Sequence, residues 1–149
     1  MITWSEEKVI PVQIDKVWEL FEDRNLQRIM PNVVDHKPLE IKEGVIGSTY
    51  EQKYREGKRV ETYIVEYTEY ENTDSKKHKK MEFTLGKAFE VEAAFTLIKV
   101  DENSTRFIYK GQNKGINFLG RVLLKIAGDK NNNKVVQDFM ELVEKEALK

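Results

Sequence analysis

Glu61 is the residue of this chain best placed by type and spacing to move protons. It lies in "Arg59-Val60-Glu61-Thr62-Tyr63", and on a strand Glu61 and Tyr63 share a face. A carboxyl group set among apolar and aromatic neighbours can serve as a general acid or base. Tyr50, Tyr54 and Tyr63 are the candidate proton-carrying partners; the alternative is a plain hydrogen bond between Glu61 and one of these hydroxyls. His36, in "Val34-Asp35-His36-Lys37-Pro38", and His78, in "Ser75-Lys76-Lys77-His78-Lys79-Lys80", are isolated. With no carboxylate pair at a useful spacing, both read as surface residues. The absence of cysteine excludes disulfides, thiolate nucleophiles and cysteine metal sites. No Gly-rich phosphate loop, nucleophile elbow or metal-ligand cluster is present, so no cofactor and no metal are expected.

The chain has 149 residues, enough for one domain spanning 1–149 with a core of useful size. Its 25 Lys and Arg nearly balance 26 Asp and Glu, so no global field would draw DNA. The start "MITWSEEKVIPVQI" lacks a basic stretch followed by a long apolar run, and no segment reaches membrane-spanning length. The expectation is a cytoplasmic protein without stable membrane insertion. Lys76–Lys80 is a local basic run that could touch an anionic surface weakly; a solvated hairpin tip is its default reading.

The elements that would position these side chains follow from periodicity. Glu7 to Ile14 alternates as a strand. Asp15 is placed to cap a helix bearing Val17, Trp18, Leu20 and Phe21 at three-four spacing. Arg24 to Met30 forms a second short helical piece, stopped by Pro31. Strands follow around Leu39–Ile41, Ser48–Arg55, Arg59–Tyr70, Lys79–Leu85, Phe89–Val100 and Thr105–Gln112, about seven in all.

Turn lengths assign the faces. "Arg55-Glu56-Gly57-Lys58-Arg59" is a two-residue hairpin. With either Glu56-Gly57 or Gly57-Lys58 as the loop, an even residue before it pairs with an odd one after it. One face then carries Tyr50, Gln52, Tyr54, Glu61, Tyr63, Val65 and Tyr67, and its aromatics assign it to the covered, concave side. So many polar tips are ill suited to a dry core. For the next hairpin, an odd loop Gly86-Lys87-Ala88, or a bulge beside it, is needed. Only then do Met81, Phe83 and Leu85 share a side with Phe89, Val91, Ala93, Phe95 and Leu97. Phe107 and Tyr109 continue that face.

The C-terminal segment is the cover. Leu119, Val122, Ile126, Val136, Met140, Val143 and Ala147 keep one phase across the polar stretch "Gly128-Asp129-Lys130-Asn131-Asn132-Asn133". A straight helix drifts only about 20° per heptad, so one long helix fits this phase. The polar stretch costs roughly 3–4 kcal/mol of helix propensity, which packing of the flanking turns must offset. The alternative is two helices, with Gly128 ending the first and Asp129 capping the second. Asp129 and Asn133 fall either on the inner stripe or in solvent beyond the sheet.

An α+β chain of one strand, two short helices, a curved antiparallel sheet and a long C-terminal helix resembles the START/Bet v 1-like (SRPBCC) superfamily. It is most similar to the bacterial polyketide cyclase/dehydrase-like branch. The resemblance covers nearly the whole chain and rests on "Ile14-Asp15-Lys16-Val17-Trp18-Glu19-Leu20-Phe21-Glu22-Asp23", "Asn25-Leu26-Gln27-Arg28-Ile29-Met30-Pro31" and "Glu66-Tyr67-Thr68-Glu69-Tyr70-Glu71". Ile29 stands where that branch commonly has Trp.

The resemblance implies the helix-grip fold, with a cavity between sheet and long helix that takes a lipid, polyketide, quinone or similar small hydrophobic molecule. Residues of this chain that would line it are Tyr50, Gln52, Tyr54, Glu61, Tyr63, Phe83, Phe89, Val91, Phe95 and Phe107 from the sheet. Phe118, Val122, Ile126 and Met140 would come from the helix. Binding or carriage of such a ligand is the leading expectation. A cyclase- or dehydratase-type enzyme using Glu61 and the tyrosines is the alternative. A third reading is a partner-binding, chaperone-like protein acting through Lys76–Lys80 and "Gly115-Ile116-Asn117-Phe118-Leu119".

Overall fold

Pro11, with no N–H to give a β-ladder, marks the end of the first strand. In the computed structural model β1 spans Ile2–Ile10, earlier and longer than the alternation Glu7–Ile14 predicts. Its length is set by its partner, since every residue from Ile2 opposite Asn113 to Ile10 opposite Thr105 is paired. The structure describes the backbone of residues 1–149 and the side chains of all but residues 118–119 and 124–130.

Two short helices follow, α1 (Ile14–Trp18) and α2 (Leu26–Ile29), joined by 3₁₀ turns at Glu19–Phe21 and Asp23–Asn25. They bury Ile14, Val17, Trp18, Leu20, Phe21, Leu26 and Ile29. Asp15 does not cap α1. Gln13 holds the cap position without a side-chain bond, and Asp15 is the second residue of the helix, 3.2 Å from the Lys77 ammonium.

The remaining strands are β2 (Val33–Glu40), β3 (Thr49–Glu56), β4 (Arg59–Asn72), β5 (Lys76–Leu85), β6 (Phe89–Asp101) and β7 (Ser104–Gly115). They form one antiparallel sheet in the order β1-β7-β6-β5-β4-β3-β2. β2 is longer than the Leu39–Ile41 expectation. As an edge strand it tolerates Pro38 and needs little apolar alternation. Both hairpin arguments hold. Glu56 faces Arg59 around Gly57-Lys58, which sets Gln52 opposite Tyr63 and Tyr50 opposite Val65. Leu85 faces Phe89 around the three-residue loop Gly86-Lys87-Ala88.

One irregularity changes the face pattern. The β4–β5 register slips between Tyr67 opposite Met81 and Glu69 opposite Lys80. A bulge of this kind re-aims the residues beyond it, so Tyr67 and Tyr70, three apart, both turn inward.

The C-terminal segment is one helix, α3 (Phe118–Ala147), continuous through Gly128–Asn133. Val136, Met140, Val143 and Ala147 are buried as the stripe predicts. Asn133 is exposed, and the Asp129 side chain lies outside the described residues. The helix packs on β1, β7 and the short helices. Between them Phe21, Phe95, Phe107, Tyr109 and Phe139 stack into an aromatic core, with Phe95 and Tyr109 nearly parallel at 5.3 Å. That burial offsets the poor propensity of the polar stretch. No helix among the described residues is long and apolar enough to cross a membrane.

The start of α3 is fixed by side chains. The Gly120 amide donates to Asn117 Oδ1 at 2.7 Å, and Asn117 Nδ2 donates to the Lys87 carbonyl at 2.9 Å. Gly120 rests on the β5–β6 loop so closely that an added Cβ would collide with the Ala88 carbonyl oxygen. Helix propensity favours Ala over Gly by about 1 kcal/mol. A methyl forced onto backbone costs about 1–3 kcal/mol, so the clash should win. Gly120→Ala is expected to lower the urea midpoint, whereas a stabilised variant would show that the loop can yield.

Candidate functional site

The second 3₁₀ turn delivers Asp23 to the inner face of the sheet, where donors from three strands meet it. Tyr50 OH of β3 donates to Asp23 Oδ2 at 2.8 Å, and Tyr67 OH of β4 donates to Oδ1 at 2.9 Å. His36 Nε2 of β2 donates to the same Oδ1 at 2.9 Å. The network continues inward. His36 Nδ1 lies 2.9 Å from Gln52 Oε1, and Gln52 Nε2 donates to Tyr63 OH at 2.7 Å. The imidazole stacks on the Tyr50 ring at 4.3 Å and 9°. His36 is therefore no surface residue; its side chain is 7% exposed.

Lys79 of β5 completes the group. Its ammonium donates to the Phe21 carbonyl at 2.7 Å and lies over the Tyr67 and Trp18 rings, at 4.7 and 5.7 Å. The run Lys76–Lys80 is thus not a solvated tip but a strand with two faces. Lys77 and Lys79 point inward and are buried, Lys77 bonding Asn72 Oδ1 at 2.6 Å. Outward, Lys76 meets Glu71, Lys80 meets Glu69 and Glu92, and His78 bonds Glu69 and Thr96. The outward charges of this strand are thus matched by acids.

These groups surround an open pocket of about 380 Å³, within the range of small-molecule sites. Trp18, Glu22, Asp23 and Arg24 come from the helical segment; Tyr50, Tyr67, Tyr70 and Lys79 come from the sheet. Ile41, Lys42, Val45 and Ser48 of the β2–β3 loop close one side. The loop is tied down by Gly47 N–H donating to Tyr67 O at 2.8 Å and Tyr67 N–H to Ser48 O at 3.0 Å. Val45 packs against the core with φ +73°, a conformation that β-branched residues rarely adopt.

The electrostatics follow from this crowding. Burial alone would raise the Asp23 carboxyl. The hydrogen bonds from His36 and Tyr50, the Lys79 charge and the Tyr67 bond together outweigh it and hold the pKa at about 2. Burial and the Asp23 charge push Tyr50 and Tyr67 well above the usual phenol value. Burial lowers Lys79 against the opposing pull of Asp23 and Glu22. At neutral pH the site therefore presents a fixed carboxylate, too weak a base to take protons, and hydroxyls that stay protonated.

The expected lining residues divide. Tyr50, Gln52 and Tyr63 enter the network. Glu61 does not join a tyrosine hydroxyl; it pairs with exposed Arg59, which removes the geometry for the proton role considered above. Tyr54 OH accepts from Asn32 Nδ2 at 3.5 Å and, among the described residues, does not enter the Asp23 network. Tyr63 stacks on Phe83 at 4.6 Å and 20°. The pair sits at a second opening of about 600 Å³ on the convex side, where β4–β5 pairing ends beyond Glu66 opposite Glu82. Phe95, Phe107 and Met140 belong to the packed core. Phe89, Val91 and Val122 are half-buried, while the side chains of Phe118 and Ile126 lie outside the described residues. Among the described residues no group of His, Asp or Glu gathers at a metal-binding spacing.

Asp23, His36, Tyr70 and Lys79 were not anticipated as site residues. One signal for Lys79 was present: the alternation that turns Met81, Phe83 and Leu85 inward, run two residues back, turns Lys79 inward too.

Two outcomes test the network. Because the folded pKa of Asp23 lies below its ordinary value of 3.8, its contribution to stability is present above about pH 4 and is lost as pH falls through about 2. Asp23→Asn should flatten that acid limb of the unfolding free energy. Gln52, 2% exposed, leaves His36 Nδ1 and the Tyr63 hydroxyl without their partner when replaced. Gln52→Leu should cost about 1–3 kcal/mol by denaturant unfolding; a neutral change would contradict the network.

The polyketide cyclase/dehydrase and lipid transport family model matches residues 1–147. No curated protein sequence matches the chain. Among solved structures, a conserved protein from Geobacillus kaustophilus superposes with TM-score 0.70 at 13% identity, over 99% of this chain and 95% of its own. Ara h 8.0201 gives 0.71 at 12%, over 99% and 97%. Truncated norcoclaurine synthase from Thalictrum flavum gives 0.69 at 11%, over 99% and 94%. At these identities the likeness shows the fold alone, the Bet v 1-like helix-grip. The chain belongs to the polyketide cyclase/dehydrase and lipid transport family.

Proposed function

We propose that this protein binds a small, largely apolar molecule carrying an oxygen function in the pocket between the short helices, the β2–β3 loop and strands β3–β5. The observation that carries this reading is a pocket walled by Trp18, Tyr50, Tyr67 and Tyr70 onto which one carboxylate and one buried ammonium converge. Apolar walls with a few fixed polar groups are what small-molecule recognition needs. The walls supply affinity by desolvation, and the polar groups set orientation. Membership of a family that includes lipid transport supports the same reading. The ligand site so proposed differs from a cavity lined by Phe95 and Phe107, which pack into the core.

Trp18 lines the pocket, so its fluorescence reports occupancy. A medium-chain fatty acid or an anilinonaphthalene dye is expected to change that emission saturably, with one site per chain. Ile41 is exposed at the mouth. Ile41→Glu should weaken fatty-acid binding about tenfold, about 1.4 kcal/mol, without unfolding the protein. Val60→Glu, at an exposed apolar position outside the pocket lining, should leave binding unchanged. No saturable signal with either probe, or equal effects of the two variants, would overturn the proposal.

A further inference from the structure

Two buried lysines stand side by side on the inner face of β5, and they are held differently. Lys77 is held by two side-chain oxygens, Asn72 Oδ1 at 2.6 Å and Asp15 Oδ1 at 3.2 Å. Among the described residues the Lys79 nitrogen has one oxygen partner, the neutral Phe21 carbonyl at 2.7 Å. Among the described residues no carboxylate is in ion-pair contact with it, although Asp23 and Glu22 act on it from a distance. Its remaining surroundings are the Tyr67 and Trp18 rings and the pocket itself.

An ammonium has three donors to satisfy, and here only one meets an oxygen. The uncharged amine gives up the attraction of Asp23, Glu22 and the two rings, but it fits the same place. It can keep one N–H on the Phe21 carbonyl and present its lone pair to the pocket. Burial favours that form as well. An amine that can lose its proton inside an apolar pocket is a nucleophile for carbonyl carbon.

Resting on the pocket reading above, we propose that Lys79 captures apolar aldehydes as a reversible imine. The amine nitrogen attacks the aldehyde carbon and forms an N–C bond. The carbinolamine then loses its oxygen as water, which carries away the two amine hydrogens, and a C=N bond remains. The proton first shed by the ammonium passes to solvent through the open mouth of the pocket. No oxidant or reductant is consumed. Trp18 and Tyr67 flank the new bond, and Tyr67 and Tyr50, already donating to Asp23, accept from a hydroxyl on the ligand.

The test uses cinnamaldehyde as probe and sodium cyanoborohydride to reduce any imine to a secondary amine, with peptide mass spectrometry to locate it. Lys79 should be labelled at least tenfold faster than the exposed lysines Lys58 and Lys145. Lys79→Met, which keeps the length and removes the amine, should abolish the fast phase. Cinnamyl alcohol has no carbonyl and should still change Trp18 emission in the unsubstituted protein. Alcohol binding with Lys79 unlabelled, or labelling spread in proportion to exposure, would overturn the imine and leave the pocket reading standing. Absence of alcohol binding together with an unlabelled Lys79 would overturn both.

Discussion

A single carboxylate, Asp23, has to satisfy donors from β2, β3 and β4 while a β5 ammonium lies close by. That constraint organises the half of the molecule that α3 does not hold. The long helix packs on β1, β7 and the short helices, where Phe21, Phe95, Phe107 and Phe139 fill the space with rings. On the other side the short helical segment is joined to the sheet by hydrogen bonds. The Asp23 turn and the Phe21 carbonyl reach four consecutive strands, and a pocket is left between them. The fold thus combines a dry aromatic core with a polar, partly open site.

The balance at Asp23 explains how a site of this kind stays intact. A carboxylate moved away from water tends to protonate, but here several donors and a cation reward its charge. The side chain remains 41% exposed, so water still reaches it and a ligand can displace that water. The same charge keeps Tyr50 and Tyr67 protonated and aimed at it. The chain Asp23–His36–Gln52–Tyr63 carries the order across the sheet, from the pocket to the convex opening beside Phe83. Moving one member therefore leaves another buried polar group without its partner, so the network is rigid by necessity.

Particular residues show what could be read in advance. The parity of the Gly57-Lys58 and Gly86–Ala88 turns points to the inner face, and the common phase of Leu119, Val122 and Ile126 with Val136, Met140, Val143 and Ala147 in the sequence points to one helix across the Asn-rich stretch. Tyr50, Gln52 and Tyr63 were suspect because their polar tips fell on a covered face. His36 could not be placed, because its strand is polar, lies at the sheet edge and has no alternation to read. Tyr70 is turned inward by a bulge after Tyr67 that leaves no mark in the local pattern. Lys77 and Lys79 looked solvated because a run of lysines usually is. What buries them is the helical segment about sixty residues earlier in the chain. Face assignment makes Glu61 a weak candidate for proton transfer or a hydrogen bond to a tyrosine, but Arg59 on the same face pairs with it instead.

The most direct measurement is a carbon-13 NMR titration of the Asp23 side-chain carboxyl. The structure predicts a midpoint near 2 in the native protein, moving up toward the ordinary value when Tyr50 and Tyr67 are both replaced by Phe. A native midpoint near 3.8, unmoved by those replacements, would mean that the donors do not converge on Asp23, and the organisation described for the site would not hold.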